Sequence, residues 1–267
     1  MTAFVRRRVT GVVLVVLATV LLTVLTVILD AAFISVRGMH GWILAGMIVF
    51  LSCYQLRKRL TMLPLGTSAL WLQMHIYIGI ATLPIFILHT DGRLPRGPIE
   101  IFILACYVIV FLSGVGGLIL SRAIPPRLRN RGGEALFERI PGYVREISVR
   151  AEKSVSGTSE KSVIRDLFGS QLRPWFERPC NFWRHVIHSR KHCVLLLEAV
   201  RDASRFAGED EKPLLAELAE LIQQKDNLDY QYAMQSILKY WLFLHVPLTW
   251  ALIVMTVFHA SIALMYS

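Results

Sequence analysis

Apolar residues in this chain are gathered into runs long enough to cross a bilayer, and nothing else restricts its folding as strongly. Five stretches, at about 9–29, 40–56, 67–90, 99–121 and 237–265, approach or exceed the ~20 residues a helix needs to span a hydrocarbon core. Inside that core every backbone N–H and C=O must be satisfied within its own segment, so each run is read as an α-helix. The expectation is an all-α integral membrane protein, a five-span helical bundle. Residues 1–121 supply the first four spans, 237–267 the fifth, and 122–236 a small helical insert between them. A composition that is 54% hydrophobic and only 18% charged agrees.

The formal net charge of +10 comes from Lys and Arg residues gathered at the ends of apolar runs and in the insert. Topology signals and anionic membrane lipid account for such charges, and nucleic acid is not an expected partner. Arg6, Arg7 and Arg8 precede the first run, Arg57, Lys58 and Arg59 follow the second, and a series from Arg122 follows the fourth. Alternating helices put all three clusters on one face, which the positive-inside rule makes cytoplasmic. The N-terminus and the insert are then cytoplasmic, the C-terminus is outside, and a bacterial inner membrane is the expected location. The first run is too long for a signal-peptide core of at most ~15 residues and is expected to remain as a spanning helix. The four cysteines form no CxxC or CxxCH, so neither a paired-thiol zinc site nor a covalently attached haem is signalled.

Four of the eight histidines lie inside two of the apolar runs: His75 and His89 in the third, His245 and His259 in the fifth. Ionisable groups at membrane depth are costly and point to function. Each pair is separated by fourteen residues. Fourteen steps of ~100° return to nearly the same face ~21 Å along the axis. With both helices entering from the cytoplasmic face, His75 is level with His245 and His89 with His259. Two bis-histidine sites result, each able to hold one haem b with both axial positions filled, a state suited to one-electron transfer. The bland alternatives are imidazoles hydrogen-bonding between helices, or a metal other than haem iron.

Further residues suit the same cofactor. Gly79 lies one turn beyond His75, where a flat macrocycle could approach the backbone, and Thr82 and Leu252 fall midway between the ligands. Arg57, Arg59, Lys239 and Tyr240 on the inner side, and Arg93 and Arg96 on the outer, are candidates to meet haem propionates; setting topology is their alternative role. Close helix packing is the alternative for Gly79, as for Gly114, Gly116 and Gly117. Pro84 and Pro247 bend or simply sit in their helices. In the insert, His185, His188, His192 and Cys193, with Cys180 nearby, make a zinc site imaginable if they share a helical face. A basic amphipathic surface for anionic lipid or a partner is the favoured reading of that segment. His40, placed in an outer loop, has no assigned role.

The stretches His75-Ile-Tyr-Ile-Gly with Leu88-His89, and His245-Val-Pro-Leu-Thr with Phe258-His259, resemble the dihaem membrane cytochromes b. Their placement on the third and fifth spans is most similar to the ferric reductase and NADPH oxidase transmembrane domain. The resemblance covers about half the chain and implies two haems b, electron conduction across the membrane, and membership of a larger redox complex. That family appends a flavin and nicotinamide domain after the last helix; here neither that domain nor a Gly-rich dinucleotide fingerprint appears. Other subunits are therefore the expected partners, an iron–sulfur or flavin protein inside and a c-type cytochrome outside. Quinol oxidation or quinone reduction at a haem edge stands as a second reading. A transporter using histidines for protons or metal is the rival from another class, although internal repeats and interrupted helices are not evident.

Overall fold

The computed structural model describes residues 3–31, 37–59, 66–131, 135–157, 163–177, 182–187 and 189–266. Among them there are helices and no strand. By length and composition four helices can cross a membrane: α1 (Ala3–Ala31) over Val9–Leu29, α3 (Ser68–Thr90), α4 (Pro98–Arg129) and α10 (Lys212–Tyr266) over Lys212–Met265. The run at 40–56 lies in α2 (Arg37–Arg59), where His40, Tyr54 and Gln55 dilute the apolar residues and Arg57, Lys58 and Arg59 close the helix. Among the described residues, length and composition therefore mark four candidate spans, and the run at 40–56 is not among them. The valines and leucines of α1, from Val9 to Ile28, are largely exposed, a surface that lipid solvates and water does not.

The chain divides into two compact units, residues 1–118 with 242–267 and residues 119–241. In the first, α1 and α2 both pack on α3. Its core joins Leu44 and Ile48 of α2, Ile85 of α3, Cys106 and Tyr107 of α4, and Leu252 of α10. Thr67 caps α3 by accepting from Leu70 N at 3.3 Å, and Asp91 (φ 52°) and Gly92 (φ 66°) end it in left-handed conformations.

The second unit is built from the end of α4, α5 (Ile140–Ser156), α6 (Val163–Leu167), a π turn at Phe168–Leu172, α7 (Arg173–Phe176), α8 (Phe182–Val186), α9 (Lys191–Ala203) and the first part of α10. Its buried residues recur at helical spacing, Cys193, Leu196, Val200 and Ala203 on α9 and Leu215, Leu218, Leu221 and Ile222 on α10. Two helices run across the ends of the segment read as the insert. Helix α4 continues through Pro125 and Pro126 to Arg129, although each proline forfeits its own N–H bond and crowds the carbonyl four residues back; buried Ile124 and Leu128 pack this end on Tyr230 and Met234. Likewise α10 is one helix across residue 236, its polar first part and apolar second part differing in surroundings rather than in backbone.

Candidate functional site

Contacts in the first unit fix the registers of four helices. On α2, the Leu51 carbonyl lies 3.1 Å from His75 Nδ1, the Tyr54 ring 5.3 Å from the His75 ring, and Gly41 directly against His89. Since 41 meets 89 and 51 meets 75, α2 runs antiparallel to α3. On α4, the Tyr107 hydroxyl is 3.0 Å from Thr82 Oγ1, and Ser113 Oγ is 2.7 Å from His245 Nδ1. On α10, the His259 ring centroid is 6.4 Å from that of His89, and Leu252 joins the core with Ile85 and Tyr107. So α3 and α10 run in one direction and α4 against them.

Three layers follow. His89, His259, His40 and Gly41 lie at one end. Thr82, Ile85, Tyr107 and Leu252 occupy the middle. His75 and His245, with the Leu51 carbonyl and Ser113, lie at the other end. From Thr82 to His75, and from Leu252 to His245, the helix rises ~10.5 Å. Over Tyr107 to Ser113 on α4 it rises ~9 Å in the same direction.

The hydrogen bonds assign tautomers. A carbonyl only accepts, so Nδ1 of His75 is the N–H that donates to Leu51, and a neutral ring keeps its lone pair on Nε2. Ser113 spends its hydrogen on the Val110 carbonyl at 2.8 Å, so its oxygen accepts from His245 Nδ1–H and again leaves the lone pair on Nε2. Metal-ligating histidines are prepared in this way, with the second ring N–H held by a carbonyl or hydroxyl. At Gly114 a Cβ would lie 3.6 Å from His245 Cε1, an ordinary contact.

At the other end, the rings of His89 and His259 stand at 87° to each other. Two imidazoles on opposite sides of one metal, with bonds of ~2.0 Å, have centroids ~6.3 Å apart. The observed 6.4 Å suits that arrangement. It also falls among ordinary edge-to-face aromatic contacts, so the spacing by itself does not identify a metal. The donor set narrows the chemistry. Among the described residues no group of three or more His, Cys, Asp or Glu side chains is placed to hold a metal ion. A pair of imidazoles is fewer ligands than a four-coordinate zinc site needs.

The remaining candidates are placed as follows. Gly79 is in ordinary contact with Leu51, 4.0 Å from where a Cβ would sit. Arg57 donates to the Gly66 carbonyl at 2.8 Å, tying the end of α2 to the start of α3. Arg59 closes α2. Arg93 and Arg96 are exposed between α3 and α4. Lys239 pairs with Glu138 at 2.7 Å and sits 3.8 Å above the Phe137 ring, and Tyr240 is exposed.

The imagined zinc cluster is not assembled among the described residues, and His188 and Cys180 lie outside them. The idea needed one helix through 185 and 192, but α8 ends at Val186, and Ser189 N closes the turn on the Arg184 carbonyl at 2.8 Å. His185 is buried beside Asp226, 3.9 Å from it, and Asp226 also faces Arg190 at 3.4 Å and Arg131 at 3.9 Å. Burial pushes the His185 imidazole below its ordinary value, against the pull of Asp226; Arg131, Lys225 and Arg190 add to the lowering. Burial likewise raises the Cys193 thiol, which stays protonated in the core.

Sequence reading left His40 unassigned and did not single out Ser113 or Gly41. His40 is in the first turns of α2 rather than in a loop, and fully buried. A polar residue at membrane depth, Ser113 beside Gly114, was the available signal for the second. Comparison with protein-family models, with curated proteins and with solved structures finds no match.

Proposed function

We propose that this chain is a dihaem b-type membrane cytochrome, the electron-conducting subunit of a larger redox complex. His75 and His245 would hold an inner haem, and His89 and His259 an outer one. The observation that carries the reading is the set of two co-directional helices, each presenting imidazoles fourteen residues apart, with one facing pair 6.4 Å apart. The other pair is oriented through Nδ1 by Leu51 and Ser113. Bound haem would supply one-electron transfer with no open position for oxygen. The chain's residues do the rest: they orient the ligand nitrogens, and the layer of Ile85, Tyr107 and Leu252 keeps water out between the tiers.

In this reading α2 is a fifth span, and the basic clusters after α2 and α4 face the cytoplasm with the N-terminus, leaving the C-terminus outside. The second unit then offers a cytoplasmic docking surface for an iron–sulfur or flavin subunit. Exposed Trp183 and Ile187 beside Arg184 suit such contact. A c-type cytochrome or similar carrier is the outer partner.

Purified protein should give a reduced-minus-oxidised spectrum with the sharp bands of low-spin haem b, and a pyridine haemochrome assay should count two haems per chain. His75→Ala and His89→Ala should each remove a different haem. Loss of neither sinks the proposal.

A further inference from the structure

His40 is fully buried, at 0% exposure, in a helix read here as membrane-spanning. Its Nε2 lies 2.8 Å from Thr26 Oγ1, and that hydroxyl donates its own hydrogen to the Leu22 carbonyl at 2.8 Å. The hydroxyl oxygen must therefore accept, so Nε2 of His40 carries the proton and Nδ1 the lone pair. Among the described residues that Nδ1 has no hydrogen-bond partner. A buried acceptor left in this state is unfavourable and calls for an explanation.

The neighbour that supplies one is His89. Gly41, next in the chain, brings α2 so close to it that a Cβ there would stand 2.9 Å from His89 Cε1 and 3.3 Å from its Nδ1. His89 and Asp91 are the titratable groups that face His40. His75 and His245 each have an acceptor for Nδ1–H, a carbonyl and a hydroxyl respectively. The same requirement falls on His89 if it ligates through Nε2.

We infer that His40 is a positioning residue of the outer tier, its Nδ1 accepting the Nδ1–H of His89. The inference rests on the dihaem reading. With that bond a chain of donors runs from His89 to His40, from His40 to Thr26, and from Thr26 to the Leu22 carbonyl, where it ends on backbone. An acceptor behind a ligating imidazole fixes its tautomer and raises its basicity. Stronger donation favours ferric over ferrous iron, so His40 lowers the potential of the outer haem and leaves the inner one alone.

Redox potentiometry of the haem-loaded chain tests this, with the outer haem identified as the one lost in His89→Ala. In His40→Leu the outer potential rises and the inner is unchanged. In His40→Gln, whose side-chain carbonyl can accept, it returns toward that of the unsubstituted chain. Thr26→Val removes the hydroxyl that sets the His40 tautomer while keeping a similar shape, and it shifts the outer potential even where His40→Leu fails to keep its haem. Unchanged outer potentials in His40→Leu and Thr26→Val overturn the inference with the haem reading intact. An unsubstituted chain that binds no haem instead removes that reading first.

Discussion

A methyl group at residue 41 would need the space that the His89 imidazole fills, 2.9 Å from Cε1. The ring is held between α2 and α10, so it cannot swing aside without leaving His259. Gly41→Ala should therefore reduce outer-haem occupancy and leave the inner haem in place, read as loss of one component in the difference spectrum. Ser113→Ala is the counterpart at the other tier. Removing the acceptor of His245 Nδ1–H should weaken inner-haem binding by ~10–100-fold, the usual effect of losing such a partner. Haem titration of the apoprotein measures it.

Helix α9 shows how an element is held. Its buried stripe of Cys193, Leu196, Val200 and Ala203 repeats at three- and four-residue steps and packs on α10 residues such as Leu218 and Ile222. Leu196 is 4% exposed, and Leu196→Ala should destabilise the second unit by ~2–5 kcal/mol, seen as a lower urea midpoint by Trp fluorescence. The apolar runs were legible in the sequence, because lipid imposes its demand on every residue of a span. The fourteen-residue histidine spacing was legible too, being a matter of helix arithmetic. What escaped depends on relations between elements. Nothing local says that α4 passes through Pro125 and Pro126, or that α10 continues where polar residues give way to apolar ones. Composition reports what surrounds a helix, not where it ends. His40 was opaque for the same reason: its role depends on the antiparallel register of α2 and α3, which sets Gly41 against His89.

For the whole chain, the second unit's buried polar groups predict its response to acid. The His185 imidazole is lowered from 6.5, chiefly by burial, so the unfolded chain takes up a proton before the folded one does. His192 shifts in the same direction, again chiefly by burial. Their contribution to stability is complete above about pH 6.5 and is lost as the pH falls below it, toward the lowered folded values. Glu217, held below its ordinary 4.5 by bonds from Ser154 and Arg150, adds a second, weaker loss under about pH 4.5. Urea midpoints of the full chain, followed by fluorescence of buried Trp175, should fall between pH 7.5 and 5.5, and His185→Asn should flatten that decline.

Midway between the histidine tiers, the Thr82 and Tyr107 hydroxyls bond to each other amid Leu44, Ile48, Ile85, Cys106 and Leu252. Among the described residues that layer is apolar apart from this one bonded pair. An electron crossing it in such a cytochrome would travel uncompensated, and a full crossing of the membrane would involve work of ~2.3 kcal/mol for every 100 mV of transmembrane voltage. In the proposed cytochrome, the greasy middle of the bundle would thus make turnover a voltage-sensitive process.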